Sequence, residues 1–395
     1  MSKHLFKEIT DILVSFWQLT WRVILHRKRQ VLFYYPQHFN RTAEGTNPFF
    51  DRLLDTCDRH GISYHLIEEP DWGTDKPRNG KAIKGDALFV LVLTLRKVVG
   101  LFSKKDFFQR ERVVACIVNL LTFNRLCYDS YITISGSMLI IFMRMNPLSK
   151  VYDLQHGILY KQHPTFFDEQ ERLRPQMHDS QWHWLLWGRG YERSFIRGEE
   201  HLFNGRTHVI GYPVSYTKKY KGTEMTGNAV LFSLQFTHDG TADQLVQQKN
   251  LFEKALQSLQ GMGVRVLLKH HPRYNNVISI DDLMKKYDFA ELTTQSMSDL
   301  LPQVMLQVTV NSTTSFEYAE YGVPSFFIDP DGLLPRGALF YKEYRYPLYR
   351  GLSLQQVVER LKQPDFRHQD AKTAETWYRE FYDEFDEQTF VQVIK

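Results

Sequence analysis

The sequence predicts an α/β protein made of two doubly wound parallel sheets, and three observations lead there. Short apolar runs of strand length alternate with longer stretches of helical periodicity, the pattern of strands joined by helices that cover both faces of a sheet. The alternation comes as two series with a break near residue 213, after Tyr212-Pro213. The chain has 395 residues, too long for one comfortable core and suited to two domains of ordinary size.

Residues 1–29 read as an amphipathic helix. Phe6, Ile9, Leu13, Phe16, Trp17, Thr20 and Ile24 recur at helical spacing, Leu5, Ile12 and Trp21 widen the stripe, and the basic run His26-Arg27-Lys28-Arg29 follows. Lys7, Glu8, Asp11, Gln18 and Arg22 interrupt the apolar residues, so the segment reads neither as a signal peptide nor as a membrane span. A helix with aromatics on one face and cations at its end can lie on an anionic membrane surface. It can also pack on its own domain, and the two are compatible if one edge stays exposed.

Residues 30–213 hold the first series. Gln30–Tyr35 (QVLFYY) reads as a buried strand, Pro48–Arg59 as a helix, and ISYHLIEE after Gly61 as the next strand. Ala87–Leu95 is a further apolar run, Phe107–Tyr128 a long helix, and Tyr131–Ser135 a strand. Met138–Met145 is a helix, and Lys150–Leu154 a strand that stops at Gln155-His156-Gly157. Residues 214–370 hold the second series. Strands are expected at Ala229–Leu234, Val264–Lys269, Ala290–Thr293, Leu306–Val310 and Ser325–Ile328, with helices over Asp243–Gln260, Ile280–Tyr287, Met297–Pro302 and from Phe316 to Tyr321. Residues 371–395 read as a C-terminal helix, patterned over Ala371–Phe390, that can pack back on the first domain.

Composition narrows the function. Hydrophobic residues make up 43% and charged residues 24%, which describes a folded, soluble-type protein. A net charge of +4 is too mild to argue for nucleic acid. Cys57, Cys116 and Cys127 have no metal spacing and cannot all pair, which favours a reducing compartment.

Polar clusters stand at the ends of three of the expected strands, where open α/β sheets bind ligands. Asn311-Ser312-Thr313-Thr314-Ser315 leads into a helix, and hydroxyls with free N–H groups at a helix start suit an anion such as phosphate, or a plain N-cap. Glu317 in the first turn can accept from two ribose hydroxyls or complement the helix dipole. Lys269-His270-His271-Pro272 offers a cation and two imidazoles that would steady a phosphate leaving group. Gln155-His156-Gly157 places His156 as a general base or a donor to a charged group, with Asp153 three residues earlier and His163 as a second imidazole. Asp329-Pro330-Asp331-Gly332 contains Asp-x-Asp, but Pro and Gly make it a turn.

Taken in order, Gln-His-Gly after a strand, Trp187-Gly188, Val209-Ile210-Gly211-Tyr212-Pro213, Lys-x-His-Pro, and Ser-Thr followed by Glu and Gly322-Val323-Pro324 form a set over roughly residues 130 to 335. The set resembles bacterial GT-B glycosyltransferases of capsule, lipopolysaccharide and other surface polysaccharides. Its His-Pro and Ser-Thr pair is similar to that of sialyl-, polysialyl- and Kdo transferases, which use CMP-activated sugars. The resemblance implies two Rossmann-like domains facing across a cleft and a metal-independent transfer without cofactor. It implies the nucleotide on residues 214–370, His271, Ser312 and Thr313 at its phosphate, and Glu317 at its ribose. Lys269, Pro272 and Thr314 complete that binding set. The acidic pair followed by Gly that serves the sialyltransferases is missing before residue 150, and Asp153-Leu154-Gln155-His156-Gly157 stands in its place. The implied partners are a nucleotide-sugar donor, such as CMP-Kdo or CMP-sialic acid, a glycan or lipid-linked glycan acceptor, and an anionic membrane surface, with no nucleic acid. The implied place is the cytoplasm or the inner face of its membrane. The rival readings are glycerophosphate transfer from CDP-glycerol, a sugar-nucleotide epimerase, and a non-catalytic subunit of polysaccharide assembly.

Overall fold

A computed structural model describes residues 3–25, 29–42, 44–72, 77–136, 138–160, 166–168, 170, 172–214, 227–237, 240–271, 274, 276–334 and 336–395. His163, Pro272 and the basic residues His26, Arg27 and Lys28 lie outside them. The chain divides into two compact units, Met1–Tyr216 with Tyr382–Lys395, and Thr217–Phe381.

The first unit is built on seven parallel strands: β1 (Val31–Pro36), β2 (Tyr64–Glu69), β3 (Ile83–Lys84), β4 (Ser130–Ile134), β5 (Lys150–Leu154), β6 (Trp182–Leu186) and β7 (Thr207–Val209). Their order is β3-β2-β1-β4-β5-β6-β7, so the winding reverses between β1 and β4. Every residue of β1 is buried, as expected for a strand covered by helices on both faces. The expected strands at 30–35, 62–69, 131–135 and 150–154 are present within a residue or two, whereas β3, β6 and β7 were not foreseen. The apolar run at Ala87–Leu95 lies inside a helix, Asp86–Phe102, too long for a strand. The next helix stops at Leu121 rather than at Tyr128, because Phe123 (φ 51°) and Asn124 (φ 57°) turn into the left-handed region.

The expected single helix over 371–390 is two helices, Pro364–Phe381 and Glu387–Ile394. Between them the chain lies along the end of β7. The Tyr212 amide donates to the Asp383 carbonyl (2.9 Å) and the Asp383 amide to the Trp187 carbonyl (2.9 Å). The Tyr382 ring packs on Trp187 and Tyr212. Asp386 then caps the last helix through the Thr389 amide (3.0 Å), and the Tyr152 hydroxyl donates to the Val393 carbonyl (2.6 Å). These contacts place residues 382–395 in the first unit.

The second unit has five parallel strands, β8 (Ala229–Ser233), β9 (Arg265–Lys269), β10 (Ala290–Leu292), β11 (Val304–Thr309) and β12 (Ser325–Phe327), in the order β10-β9-β8-β11-β12. Its winding reverses between β8 and β11. A capping box, Thr241 with Gln244, starts the helix Ala242–Leu259. Phe316 stacks on Trp377 (4.2 Å between ring centroids) and touches Phe340 and Tyr344, which anchors the helix after β11 from below. Both sheets are parallel and doubly wound, as the sequence predicts.

Gly211 is where the two ends of the first unit cross. Its φ is +79°, and a Cβ there would lie 2.1 Å from the Glu384 carbonyl oxygen. Gly211→Ala combines left-handed strain with a backbone clash, and should cost roughly 2–4 kcal/mol of stability. Thermal unfolding of the variant should show an earlier melting first unit; an unchanged profile would contradict the crossing.

Candidate functional site

The reversal point of the second sheet lies between β8 and β11, and polar side chains gather at its carboxyl edge. Gln307 is fully buried in β11. Its Nε2 donates to Ser233 Oγ at the end of β8 (2.8 Å) and to Thr314 Oγ1 (2.6 Å), and its Oε1 accepts from Ser325 Oγ on β12 (2.8 Å). Gln235 Oε1 accepts from the Asn311 amide (2.9 Å), which ties the loop after β8 to the turn after β11. Within that turn Ser312 Oγ lies 2.8 Å from Thr314 Oγ1 and accepts from the Thr314 amide (3.3 Å). Ser312 and Thr314 are therefore already engaged, one on the other and on Gln307, while Thr313 is half-buried. Ser315 is fully buried, and its Oγ has no hydrogen-bond partner among the described residues. Glu317 is half-buried one turn on; burial first, and then the carboxylate of Glu317 at Tyr318 and those of Glu320 and Glu317 at Tyr321 and Tyr378, hold the tyrosine hydroxyls neutral.

The cluster after β9 divides. Lys269 Nζ donates to the Gln295 carbonyl (2.5 Å), and burial pulls its ammonium below the usual lysine range. The His270 ring stacks on Tyr274 at 3.7 Å. Its Nδ1 is buried without a hydrogen-bond partner, and burial favours the neutral ring. His271 is half-buried, and its carbonyl accepts from the Tyr274 amide (2.8 Å), which closes the turn. Asp329 uses both carboxylate oxygens on the amides of Leu333 and Leu334 (2.8 Å each), so this segment is a turn.

In the first unit the end of β5 is held by Gln155. Its Oε1 accepts from the Trp187 amide (2.9 Å) and its Nε2 donates to the Gly157 carbonyl (2.9 Å), so β5, β6 and the following turn move as one piece. His156 between them is exposed and rests edge-on against Phe39 (5.3 Å), which follows β1. Next to Phe39, His38 Nδ1 pairs with Asp71 Oδ2 (2.8 Å) after β2. Asp153 is buried instead. It pairs in register with Thr133 on β4 and Trp184 on β6, and its Oδ1 is buried without a partner. Burial pushes its carboxyl up to about 7. Asp153 and His156 thus separate into an enclosed, near-neutral acid and an open imidazole.

Sequence reading missed Gln307, Ser233, Gln235, Ser325, Gln155 as a clamp, and the His38–Asp71 pair. The available signal was a lone amide in apolar surroundings, as in VMLQVT at 304–309. Such a group needs partners when buried.

No family model and no curated protein matches the sequence. Solved structures resemble the fold. A structure of the wall teichoic acid polymerase TagF aligns with a TM-score of 0.54 at 13% identity, covering 98% of this chain and 96% of that one. A structure of the same polymerase soaked with CDPG gives 0.52 at 13%, covering 99% and 95%. UDP-GlcNAc 2-epimerase from Neisseria meningitidis bound to UDP-GlcNAc gives 0.52 at 11%, covering 92% and 99%. These likenesses span both sheets, and the chain has the two-sheet GT-B fold.

Asp153 gives a pH-dependent test. With its carboxyl at about 7 when folded and near 3.8 when unfolded, the native state keeps a proton that the unfolded state loses. Stability falls as pH rises from 3.8 to 7 and is flat above. Asp153→Asn should therefore gain on the parent between pH 4 and pH 8 by up to about 4 kcal/mol, read from urea unfolding at both pH values. A difference that does not change with pH would contradict the buried carboxyl.

Proposed function

We propose that the protein is a glycosyltransferase that moves a sugar from a cytidine-nucleotide donor, CMP-Kdo or CMP-sialic acid, to a bacterial surface glycan or lipid-linked glycan. The observation that carries this reading is the hydroxyl-lined turn Asn311–Ser315, held by Gln307 at the reversal point of the second sheet, where open α/β sheets take their ligands. Ser312 and Thr313 receive the phosphate, with His271, and Glu317 receives the ribose. Thr314 positions Ser312, and Lys269, bonded to Gln295, adds long-range positive charge.

In the transfer the acceptor hydroxyl gives its proton to His156 as its oxygen bonds to the anomeric carbon. The bond from that carbon to the phosphate oxygen breaks, and CMP leaves with the electron pair. Hydroxyl donors steady the charge as it develops. His156 is the proton acceptor because it is open to solvent. Asp153 is the second candidate, since a carboxyl held near 7 is poised for proton transfer at neutral pH. No metal ion is required in this scheme.

A second reading, group transfer from a CDP-linked donor, is favoured by the CDPG-soaked polymerase structure, whose fold matches 99% of this chain. The epimerase structure bound to UDP-GlcNAc keeps a third reading, sugar-nucleotide epimerisation, in view. Product masses after incubation with each donor separate the three.

A thermal-shift series with CMP, CDP, UDP and GDP should show stabilisation by the cytidine nucleotides, lost in the double variant Ser312→Ala, Thr313→Ala. An unchanged shift in that variant removes the site. With the donor so identified, His156→Ala should lower kcat by roughly a hundred- to ten-thousand-fold at nearly unchanged nucleotide affinity. Full turnover would move the base to Asp153. Activity should survive excess chelator; loss with rescue by magnesium or manganese would overturn the metal-free scheme.

A further inference from the structure

The N-terminal helix packs the opposite way round from an ordinary amphipathic helix. A helix held to its domain by the hydrophobic effect buries its apolar stripe. Here three polar residues, Asp11, Ser15 and Gln18, face inward. Ser15 is fully buried; its Oγ donates to the Lys84 carbonyl (2.6 Å) and accepts from the Ala87 amide (2.9 Å). Gln18 Oε1 accepts from the Lys84 amide (2.8 Å), and Asp11 pairs with Lys84 Nζ (2.5 Å). The apolar residues Leu13, Phe16, Trp17, Trp21 and Leu25 are left exposed, Trp17 by 66%. The Trp17 and Trp21 rings stack on one another in the open, 6.0 Å apart and nearly parallel.

The pattern extends beyond this helix. Lys3–Leu19 packs against Asp86–Phe102, which packs against Phe107–Leu121. Leu101 and Phe102 end the middle helix 81% and 86% exposed. Phe107, Leu120, Leu121 and Phe123 are exposed on the third helix and its end. Isolated exposed apolar residues are ordinary, but this concentration is not.

Positive charge predominates around these residues. Lys7, Arg22, Lys97, Lys104 and Lys105 are exposed, as are Arg112 and Arg125. Three of the acids are withdrawn, Asp11, Asp86 and Glu111 pairing with Lys84, Arg78 and Arg96, and Glu8 is half-buried. Among the described side chains of these helices Asp106 is the exposed acid, and it caps its helix at the Gln109 amide. No helix among the described residues is long and apolar enough to cross a membrane.

We propose that these three helices form a docking surface for an anionic lipid bilayer, lying in the headgroup layer with the aromatic side chains in the acyl boundary. Exposed tryptophans suit that boundary, and the surrounding cations suit acidic headgroups. A second copy laid on the same patch would bring the same cations with it, so charge disfavours self-association there. Polar bonds to Lys84 and Ala87, together with the burial of Val23, hold this segment to the domain and leave Leu13, Phe16, Trp17, Trp21 and Leu25 exposed.

The test is co-sedimentation of the full chain with vesicles of equimolar phosphatidylglycerol and phosphatidylcholine, against phosphatidylcholine alone, at low and high salt. The full chain should bind the anionic vesicles, with a blue shift of tryptophan fluorescence and weaker binding at high salt. The variants Trp17→Ser with Trp21→Ser, Phe102→Ser, and Lys104→Glu with Lys105→Glu should each lower partitioning by roughly tenfold. Their unfolding midpoints should match the parent, since the altered side chains are exposed. Absence of binding to anionic vesicles, or variants that partition like the parent, would overturn the proposal. So would a lipid-free dimer in light scattering that the same variants convert to monomer, since the patch would then serve a second copy.

Discussion

The amide of Gln307 holds together the carboxyl edge of the second sheet. It is fully buried in a largely apolar strand, and its three hydrogen bonds reach Ser233, Thr314 and Ser325, which come from three separate segments. Replacing it with an apolar side chain would leave three hydroxyls to find other partners, at roughly 1–3 kcal/mol for each one left unsatisfied. The conformation of the 311–315 turn follows from this bond set. Thr314 is fixed by Gln307, Ser312 by Thr314, and the Asn311 amide by Gln235. Below the turn, Phe316 is locked on Trp377, so the turn is held from both sides before any ligand arrives. Such preorganisation lowers the ordering cost of binding.

Gln155 does comparable work in the first unit. By bonding the Trp187 amide and the Gly157 carbonyl it joins the ends of β5 and β6. His156 is then turned outward, while Asp153, two residues before Gln155, remains inside with an unpartnered oxygen. One strand end therefore presents two titratable groups in opposite environments, the arrangement that separates acid and base roles in enzymes. A buried carboxyl with an unpartnered oxygen lowers stability, and such costs concentrate at sites that need them.

The parts of this structure that depend on local pattern could be read from the sequence. Alternation of apolar runs and helical periodicity located nine of the twelve strands among the described residues, and the polar clusters at 155–157, 269–271 and 311–315 do stand at strand ends. Parts that depend on distant partners could not be read. Gln307 and Ser233 are 74 residues apart, so nothing near either one announces the bond. The break between the last two helices depends on Tyr212 and Gly211 crossing residues 383–385, which the local pattern of 371–390 does not contain. The stripe of the first helix was plain, but its inward polar face depends on Lys84 and Ala87. Length alone could have assigned 86–102 to a helix.

The central claim is that the turn held by Gln307 receives the nucleotide of the donor. Hydrogen–deuterium exchange of the full chain with and without CMP tests it most directly, because protection is read segment by segment and needs no acceptor. New protection is expected over residues 309–320, with the opposite, amino-terminal end of the same sheet unchanged, and loss of that protection in Gln307→Leu. Protection confined to other segments, or retained in full by that variant, would contradict it.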